Sequence, residues 1–487
     1  MREKMYKQMV EQKNKAYVLE KNRIWTYDDL RHYCSYYNYI FREGNCRKIL
    51  ISARQGFIAY SAVIAAYMTG SIFCTINPEL PKQRKEYMIG IFRPDIILCE
   101  ESDEISSTEG IQKLFLNRVE EACQGFTSVP IQKEFEHSIA YVLFTSGSTG
   151  MPKGCMIKRK SIEKFCLWAA EDFSLSDKDI YGQYVPLYFD MSLLDIFGGA
   201  VKGVTLVPFP NFPEKLRPGD MLKKYKITFM NVVPQFLELL MRTEQFTAEY
   251  LNTLRMIRFG GDKIYTSRLE ELFRQVPDIK VVSTYGPTET TCFCFYKIVD
   301  QNTYKQHSMD IVTIGNTIPG WKAYLRDPEE GVGEIVIYGE YIGAGYLEQQ
   351  GEQFSEEIIH GSREEVYYTG DYASMLFGEY YFQGRRDAQV KINGNRVSLT
   401  EVEFSMMENG CTETAAIFHR DHIFAFYCTE KEQLLKEAEF KALLQRKLPA
   451  YAVPSRLLLL KELPHSPNGK IDRSRLRESA EQMINIE

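Results

Sequence analysis

No apolar run in the 487 residues reaches the length of a membrane-spanning helix, so no transmembrane segment is expected. Eleven cysteines are scattered, and neither a Cys-x-x-Cys pair nor a cysteine–histidine set with zinc spacing occurs among them. Cys292-Phe293-Cys294 is the one close pair. Reduced thiols in a cytoplasmic protein are the simplest account. Charge of one sign does not dominate: 59 Lys and Arg against 65 Asp and Glu give a net charge of −6, and no reason to expect nucleic acid. The charged start Met1-Arg2-Glu3-Lys4 lacks the apolar core of a signal peptide. There is no long Pro/Ser linker, internal repeat or low-complexity tract. With 44% apolar residues the chain can bury several cores, which predicts two or more domains joined by a short hinge.

What is present reads first as βα alternation. Trp25-Thr26-Tyr27 precedes a helical pattern carrying Leu30 and Tyr33, Lys48–Ser52 reads as a buried strand, and Phe57–Met68 as a helix. Pro94–Cys99, Val204–Val207 and Ile257–Phe259 are further short strands, and Ser161 reads as the cap of a helix running to Phe173. Past residue 310 the texture turns β-rich, and the last hundred residues form a small α+β unit. The fold class expected is α/β.

Thr145-Ser146-Gly147-Ser148-Thr149-Gly150-Met151-Pro152-Lys153-Gly154 follows the strand-like run Ala140–Phe144. Its glycines permit a tight turn that aims several N–H groups at one anion, and its hydroxyls and Lys153 add donors. The Walker A spacing is absent, and the chain re-enters a strand at Cys155-Met156-Ile157 rather than a helix. A polyphosphate cradle and a surface turn both fit the loop alone.

Further constellations follow in order. Asp190 lies in the apolar segment Tyr188–Phe197, with Asp195 one turn on. It is either a helix cap or, if buried, a carboxylate that wants a ligand ammonium. Ser283-Thr284-Tyr285-Gly286-Pro287-Thr288-Glu289 follows the strand Lys280–Val282. It is either a structural turn or a site giving Tyr285 to a nucleobase, Thr288 to phosphate and Glu289 to Mg²⁺. Asp371, in Tyr368-Thr369-Gly370-Asp371, offers a carboxylate for two ribose hydroxyls. Gly384–Arg396 and Asn468–Arg473 carry the Asn-Gly and Gly-Asn signals of solvated hairpins.

Taken in order, these strings resemble the core motifs of the adenylate-forming superfamily: acyl-CoA synthetases, luciferase-type enzymes and peptide-synthetase adenylation domains. Trp25–Leu30, Gly343-Ala344-Gly345-Tyr346-Leu347 and Leu448–Pro454 add to the match, which spans essentially the whole chain. Phe189-Asp190-Met191-Ser192 resembles the amino-acid-activating branch, in which this Asp binds the substrate α-ammonium. Leu167–Phe173 and Met191–Ile196 are similar to free-standing D-alanine–carrier protein ligases.

The resemblance implies a large N-terminal domain of α/β sheets with a β-rich subdomain (residues 1–384). A small mobile α+β lid (385–487) would hinge near Asp387, with the active site between the two. It implies activation of an amino acid as aminoacyl-AMP with ATP and Mg²⁺, then transfer to the phosphopantetheine thiol of a carrier protein. The chain stops soon after Arg473 without a carrier domain, so that carrier would act in trans. By the same resemblance ATP would meet Thr145, Ser146, Gly147, Ser148, Thr149, Gly150, Lys153, Ser283, Thr284, Tyr285, Gly286, Pro287 and Thr288. Asp371, Phe382, Gln383, Gly384, Arg385 and Lys470 would complete its site, with Glu289 holding the metal. Lys470 would bridge the substrate carboxylate and α-phosphate, and Lys391 would serve the second half-reaction.

The amino-acid pocket would comprise Asp190, Met191, Leu194, Asn231, Arg258, Gly260, Thr284, Cys292 and Phe293, with Lys470. Three positions depart from the family. Ser283 stands where Asn is usual. In the D-alanine ligases the position of Gly260 is typically Cys and that of Arg258 apolar. An inward Arg258 predicts a larger polar or acidic substrate; an Arg258 paired elsewhere leaves a small amino acid. The alternative readings are an acyl-CoA or aryl-CoA ligase, which Asp190 disfavours, and a catalytically silent nucleotide- or carrier-binding protein.

Overall fold

The computed structural model describes the chain except residues 22, 104, 106–109, 128–129, 132, 146–150, 349–350, 386–388, 393, 430–435, 465–470 and 485–487; of residues 396, 474 and 482–484 it describes the backbone alone. By internal packing the chain divides into two compact units. One comprises Met1–Pro78, Ile89–Leu143 and Gly154–Gly384, the other Glu79–Met88, Phe144–Lys153 and Arg385–Glu487.

Among the described residues the larger unit is built on three sheets. The first has six strands in the order Gln112–Phe115, Ile96–Cys99, Lys48–Ser52, Ile72–Ile76, Ile139–Thr145 and Lys153–Lys158. Its inner pairings are parallel, and Ile96–Cys99 is buried at every position, as a strand covered on both faces must be. The second has nine strands. Its centre runs Lys280–Tyr285, Met256–Phe259, Phe229–Val232, Ile180–Gln183, Thr205–Pro208 and Ala16–Glu20, all parallel, with antiparallel strands at both edges. The third is the β-rich part, in which Lys322–Glu329, Val332–Tyr338, Ser362–Leu376 and Phe354–Ile359 pair antiparallel, and Glu379–Arg385 joins Ser362–Leu376.

Two helices show how the sequence builds this unit. Tyr27–Glu43 starts at a reciprocal cap: the Asp29 N–H donates to Thr26 Oγ1 at 3.1 Å, and the Thr26 N–H donates to the Asp29 carboxylate at 2.7 Å. Phe57–Thr69 is apolar all round, and every residue but Ile58 is buried. It packs against Tyr27–Glu43, against the first sheet and against the turn Leu194–Gly198, so it backs the segment that carries Asp190 and Asp195. Phe57 stacks on Trp25 with ring centroids 4.1 Å apart, and truncating such a ring costs about 3–5 kcal/mol.

One expectation fails here. Ser161 does not cap its helix, which runs Arg159–Asp172 with Lys158 at the cap position. The Arg159 N–H donates to the Ser138 carbonyl at 2.7 Å, and its guanidinium binds the carbonyls of Tyr67 and Ser71. These tertiary bonds start the helix two residues early, leaving Ser161 buried in the first turn with Oγ unpartnered among the described residues.

The smaller unit holds the hairpin Gln389–Ile392 with Asn395–Ser398, and a three-stranded sheet of Glu413–His419, His422–Cys428 and Arg456–Leu459. The helix Leu399–Met407 is capped by Ser398, whose Oγ accepts from the Glu401 N–H. Buried Glu401 pairs with Arg84, which ties the segment Glu79–Met88 into this unit. Burial still pushes the Glu401 carboxyl up, against the lowering effect of Arg84. No helix among the described residues is long and apolar enough to cross a membrane. All eleven cysteines are buried and none is in a disulfide.

Candidate active site

The parallel strands of the second sheet deliver a polar cluster at their carboxyl ends, the usual place for a ligand in such sheets. Asn231 lies opposite Arg258 in the register, and Arg258 lies opposite Val282. Thr284, two residues on, therefore shares their face. Arg258 is completely buried. Its Nε donates to Asn231 Oδ1 at 2.6 Å and its Nη1 to Thr284 Oγ1 at 3.2 Å, while Nη2 has no hydrogen-bond partner among the described residues. The guanidinium lies over the Phe293 ring, 4.7 Å from its centroid. Gly260 adjoins this group. A Cβ there would stand 2.9 Å from Thr284 Oγ1 and 3.4 Å from both Arg258 Nη1 and Met191 Cε. The arrangement therefore puts Arg258 among the candidate pocket residues rather than on an outer surface.

Asp190 stands at the cap position of the short helix Met191–Leu193, where its side chain makes no capping bond to the N–H groups beyond Met191. Its Oδ2 instead accepts the Thr288 hydroxyl at 2.6 Å. Burial pushes the Asp190 carboxyl up to about 6, while the Thr288 hydroxyl, the Met191 N–H and the Arg258 charge hold it down. The chain then enters a π-helical turn, Leu194–Gly198, which aims Asp195 inward. Asp195 is fully buried. Its Oδ1 accepts from Asn231 Nδ2, and its Oδ2 has no partner among the described residues. Burial drives this carboxyl well above its ordinary range, more than Arg258 and Asn231 pull it back. Leu194 is buried, with Cδ1 turned toward Gly198. The Cys292 thiol is pushed up by burial and senses Asp190 and Arg258 electrostatically.

The segment Ser283–Glu289 joins this cluster to a second one. Tyr285 is buried, and its hydroxyl donates to Asp371 Oδ2 at 2.6 Å; its ring leans on Phe382 and meets Phe295 edge-on. Burial first, and the Asp371 charge next, raise the Tyr285 hydroxyl well above its usual range. Gly286 is required by close approach: a Cβ there would sit 2.5 Å from the Phe293 Cα and 2.7 Å from the Cys294 nitrogen. After Pro287 the turn Thr288–Thr290 buries Glu289, whose Oε1 accepts the Tyr346 hydroxyl at 2.7 Å. Thr291 and Cys292 then both adopt left-handed backbone, with φ of 71° and 70°. For a β-branched residue such as Thr291 this is strained, and such strain gathers at functional sites. Ser283 is buried on the same strand, and Gln383 Nε2 donates to Ser374 Oγ at 2.9 Å, just before Gly384 ends the unit.

The remaining candidates divide in two. Thr145, Lys153, Arg385 and Lys391 belong to the smaller unit, where Arg385 ends a strand and Lys391 lies opposite Arg396 in the hairpin. Ser146, Gly147, Ser148, Thr149, Gly150, Asp387 and Lys470 lie outside the described residues. Sequence reasoning left two buried members out of the site: Asp195, signalled by an acid inside an apolar run, and Tyr346, which the Gly343–Leu347 string contains.

Residues 5–347 match the model of the AMP-binding enzyme family, and the chain belongs to that family. It is 26% identical over 457 residues to the D-alanine–D-alanyl carrier protein ligase of Listeria monocytogenes, covering 88% of each chain. It is 25% identical over 463 residues to the L-proline–[L-prolyl-carrier protein] ligase of Pseudomonas fluorescens, covering 90% of each. A dimodular nonribosomal peptide synthase of Bacillus subtilis matches at 29% identity over 85% of this chain, which spans only 19% of that protein's length. In other matched synthases the share falls as low as 7%. The crystal structure of a Vibrio cholerae adenylation domain, AlmE, in complex with glycyl-adenosine-5′-phosphate has the same fold. It superposes with a TM-score of 0.85 at 21% identity, covering 99% of this chain and 97% of that one.

Proposed function

We propose that the protein activates an amino acid with ATP and passes it to the phosphopantetheine thiol of a separate carrier protein, as a D-alanine ligase or a ligase for another small or polar amino acid. The observation that carries this reading is Asp190. A buried carboxylate held by a single threonine hydroxyl and the Met191 N–H, with burial working against its charge, is completed by a ligand ammonium. A simple fatty or aryl acid has no group for it.

In the first half-reaction the amino-acid carboxylate oxygen attacks the α-phosphorus of ATP, the bond to the β-phosphate oxygen breaks, and pyrophosphate leaves. Two anions meet, so the work of the protein is alignment and neutralisation. Asp190 holds the ammonium and thereby aims the carboxylate. Asp371 accepts the ribose hydroxyls, with Tyr285 fixing one of its oxygens. The Thr145–Gly154 loop, Arg385 and Lys470 supply the phosphate contacts. Glu289 suits Mg²⁺, since a hard cation takes carboxylate and phosphate oxygens. The ion, when bound, would neutralise phosphate charge. In the second half-reaction the carrier thiolate attacks the acyl carbonyl and AMP leaves, with Lys391 on the face that serves this step and Asp387 as the hinge. The buried, unbridged thiols suit a reducing compartment, which we take to be the cytoplasm.

Amino-acid-dependent exchange of pyrophosphate into ATP tests the reading. Exchange with D- or L-amino acids is expected. Exchange with aryl or fatty acids alone would make the protein an acyl-CoA or aryl-CoA ligase. Absence of exchange with any acid would favour the silent, binding-only reading.

A further inference from the structure

Arg258 is the largest completely buried side chain among the described residues, and it is incompletely satisfied. Two of its three guanidinium nitrogens donate to Asn231 and Thr284, and Nη2 donates to nothing among the described residues. No carboxylate among them pairs with it directly. Asn231 is interposed: its Oδ1 accepts from Arg258 while its Nδ2 donates to Asp195 and to the Tyr181 hydroxyl. Asp195 is thus held one amide away from the charge, in surroundings that favour its neutral form. The other nearby acid, Asp190, is engaged once a substrate ammonium sits on it. An ammonium–Asp190 pair is neutral, which leaves Asp195, one amide away and disfavoured as an anion by its burial, as the nearby acid facing the buried Arg258 charge. Such a state is costly, and a guanidinium fork is best satisfied by a carboxylate.

Gly260 packs at the edge of this group: a Cβ there would stand 2.9 Å from Thr284 Oγ1 and 3.4 Å from both Arg258 Nη1 and Met191 Cε, so glycine lets the guanidinium, Thr284 and the residue that follows Asp190 lie close together.

We propose that the amino acid taken by this site carries a carboxylate on its side chain, and that Arg258 receives that carboxylate through Nη2 while Asp190 receives the ammonium. The inference rests on the amino-acid ligase reading above and names its substrate class: an acidic amino acid, with the α-carboxylate left for adenylation.

The test is pyrophosphate exchange by the full chain with D- and L-aspartate and glutamate, each beside its carboxamide, together with alanine and glycine. An acid is expected to exceed its own amide by about 100-fold in kcat/KM, since a site built around a buried hydrogen-bonding group rejects the partner that leaves it unpaired. Equal or faster exchange with the amides, alanine or glycine would overturn the acidic assignment and leave the ligase reading standing. Exchange with no amino acid would overturn both. Arg258→Met is expected to reduce the acid-to-amide ratio at least about 10-fold, and Arg258→Lys, which keeps the charge, to reduce it less. A folded Arg258→Met protein with the wild-type ratio would remove Arg258 from the assignment. Should that variant fail to fold, the wild-type ratio still decides the substrate class.

Discussion

The hydroxyl of Thr288 donates to the carboxylate of Asp190 at 2.6 Å, joining segments 98 residues apart. One segment is expected to hold the amino acid and the other the nucleotide. A hydroxyl has one proton to give, and here it goes to Asp190 rather than standing ready for a phosphate. This bond also lowers the Asp190 pKa against the effect of burial. Thr288→Val is therefore expected to raise that pKa above about 6, moving the acid limb of kcat/KM for the amino acid up by about one pH unit, while Thr288→Ser leaves it in place. A limb unmoved in Thr288→Val would show that the bond is not made in solution.

Asp190 itself gives two pH dependences of opposite use. Its pKa of about 6 lies above the ordinary 3.8, so the free enzyme loses the charge that binds an ammonium as pH falls through 6. Below that point kcat/KM for the amino acid should drop about tenfold per unit. Asp190→Asn should have no such limb and about 100-fold lower kcat/KM at pH 8. Stability runs the other way. The raised pKa means that ionised Asp190 costs stability at pH 8, and this cost vanishes as pH falls from 6 toward 3.8. Asp190→Asn should thus be more stable than the wild type at pH 8, by about 1–3 kcal/mol, with the gap closing near pH 4. Denaturant titrations at the two pH values measure it.

Gly260→Ala probes the floor of the pocket. The added Cβ would stand 2.9 Å from Thr284 Oγ1, so that hydroxyl, which donates to the Phe259 carbonyl, must shift, and 3.4 Å from Arg258 Nη1 and Met191 Cε, whose longer side chains can give. Exchange should shift toward smaller amino acids by about tenfold relative to larger ones, the usual effect of one methyl group in a pocket.

Gly286→Ala makes the contrasting case. Its Cβ would meet backbone, at 2.5 Å from the Phe293 Cα and 2.7 Å from the Cys294 nitrogen, and backbone cannot rotate away. A loss of about 1–3 kcal/mol is expected from thermal or denaturant unfolding. The strand Lys280–Tyr285 and the left-handed pair Thr291–Cys292 would have to shift with it.

How far the sequence reveals this molecule depends on the range of the interaction concerned. Buried parallel strands such as Lys48–Ser52 and Ile96–Cys99 are legible because continuous apolar runs carry them. The helix after Trp25-Thr26-Tyr27 is legible because its start is set locally, by the cap at Thr26 that the structure adds. The start of the helix Arg159–Asp172 is not, since bonds from Arg159 to Ser138, Tyr67 and Ser71 set it. Nor is the place of Glu79–Met88 in the smaller unit, to which Arg84 is tied by an ion pair with Glu401 across 317 positions. In the candidate site, the sequence links Asp190, Asn231, Arg258 and Gly260 through family resemblance alone. That Asp195 turns inward follows from a π-helical turn, whose wider hydrogen-bond spacing leaves no pattern in an apolar run.

Tyr285 and Asp371 offer the last test, one that separates architecture from binding. Asp371 is a buried carboxylate accepting the Tyr285 hydroxyl at 2.6 Å, and its own N–H donates to Thr369 Oγ1 at 3.0 Å. Tyr285→Phe removes one donor from a buried charge and should cost about 1–3 kcal/mol in unfolding experiments. If Asp371 accepts ribose hydroxyls, saturating ATP should offset more of that loss than 2′,3′-dideoxy-ATP does, because only the ribose form offers the carboxylate new donors. Equal stabilisation of Tyr285→Phe by the two nucleotides would leave the Tyr285–Asp371 bond as a strut of the fold and take the ribose away from Asp371.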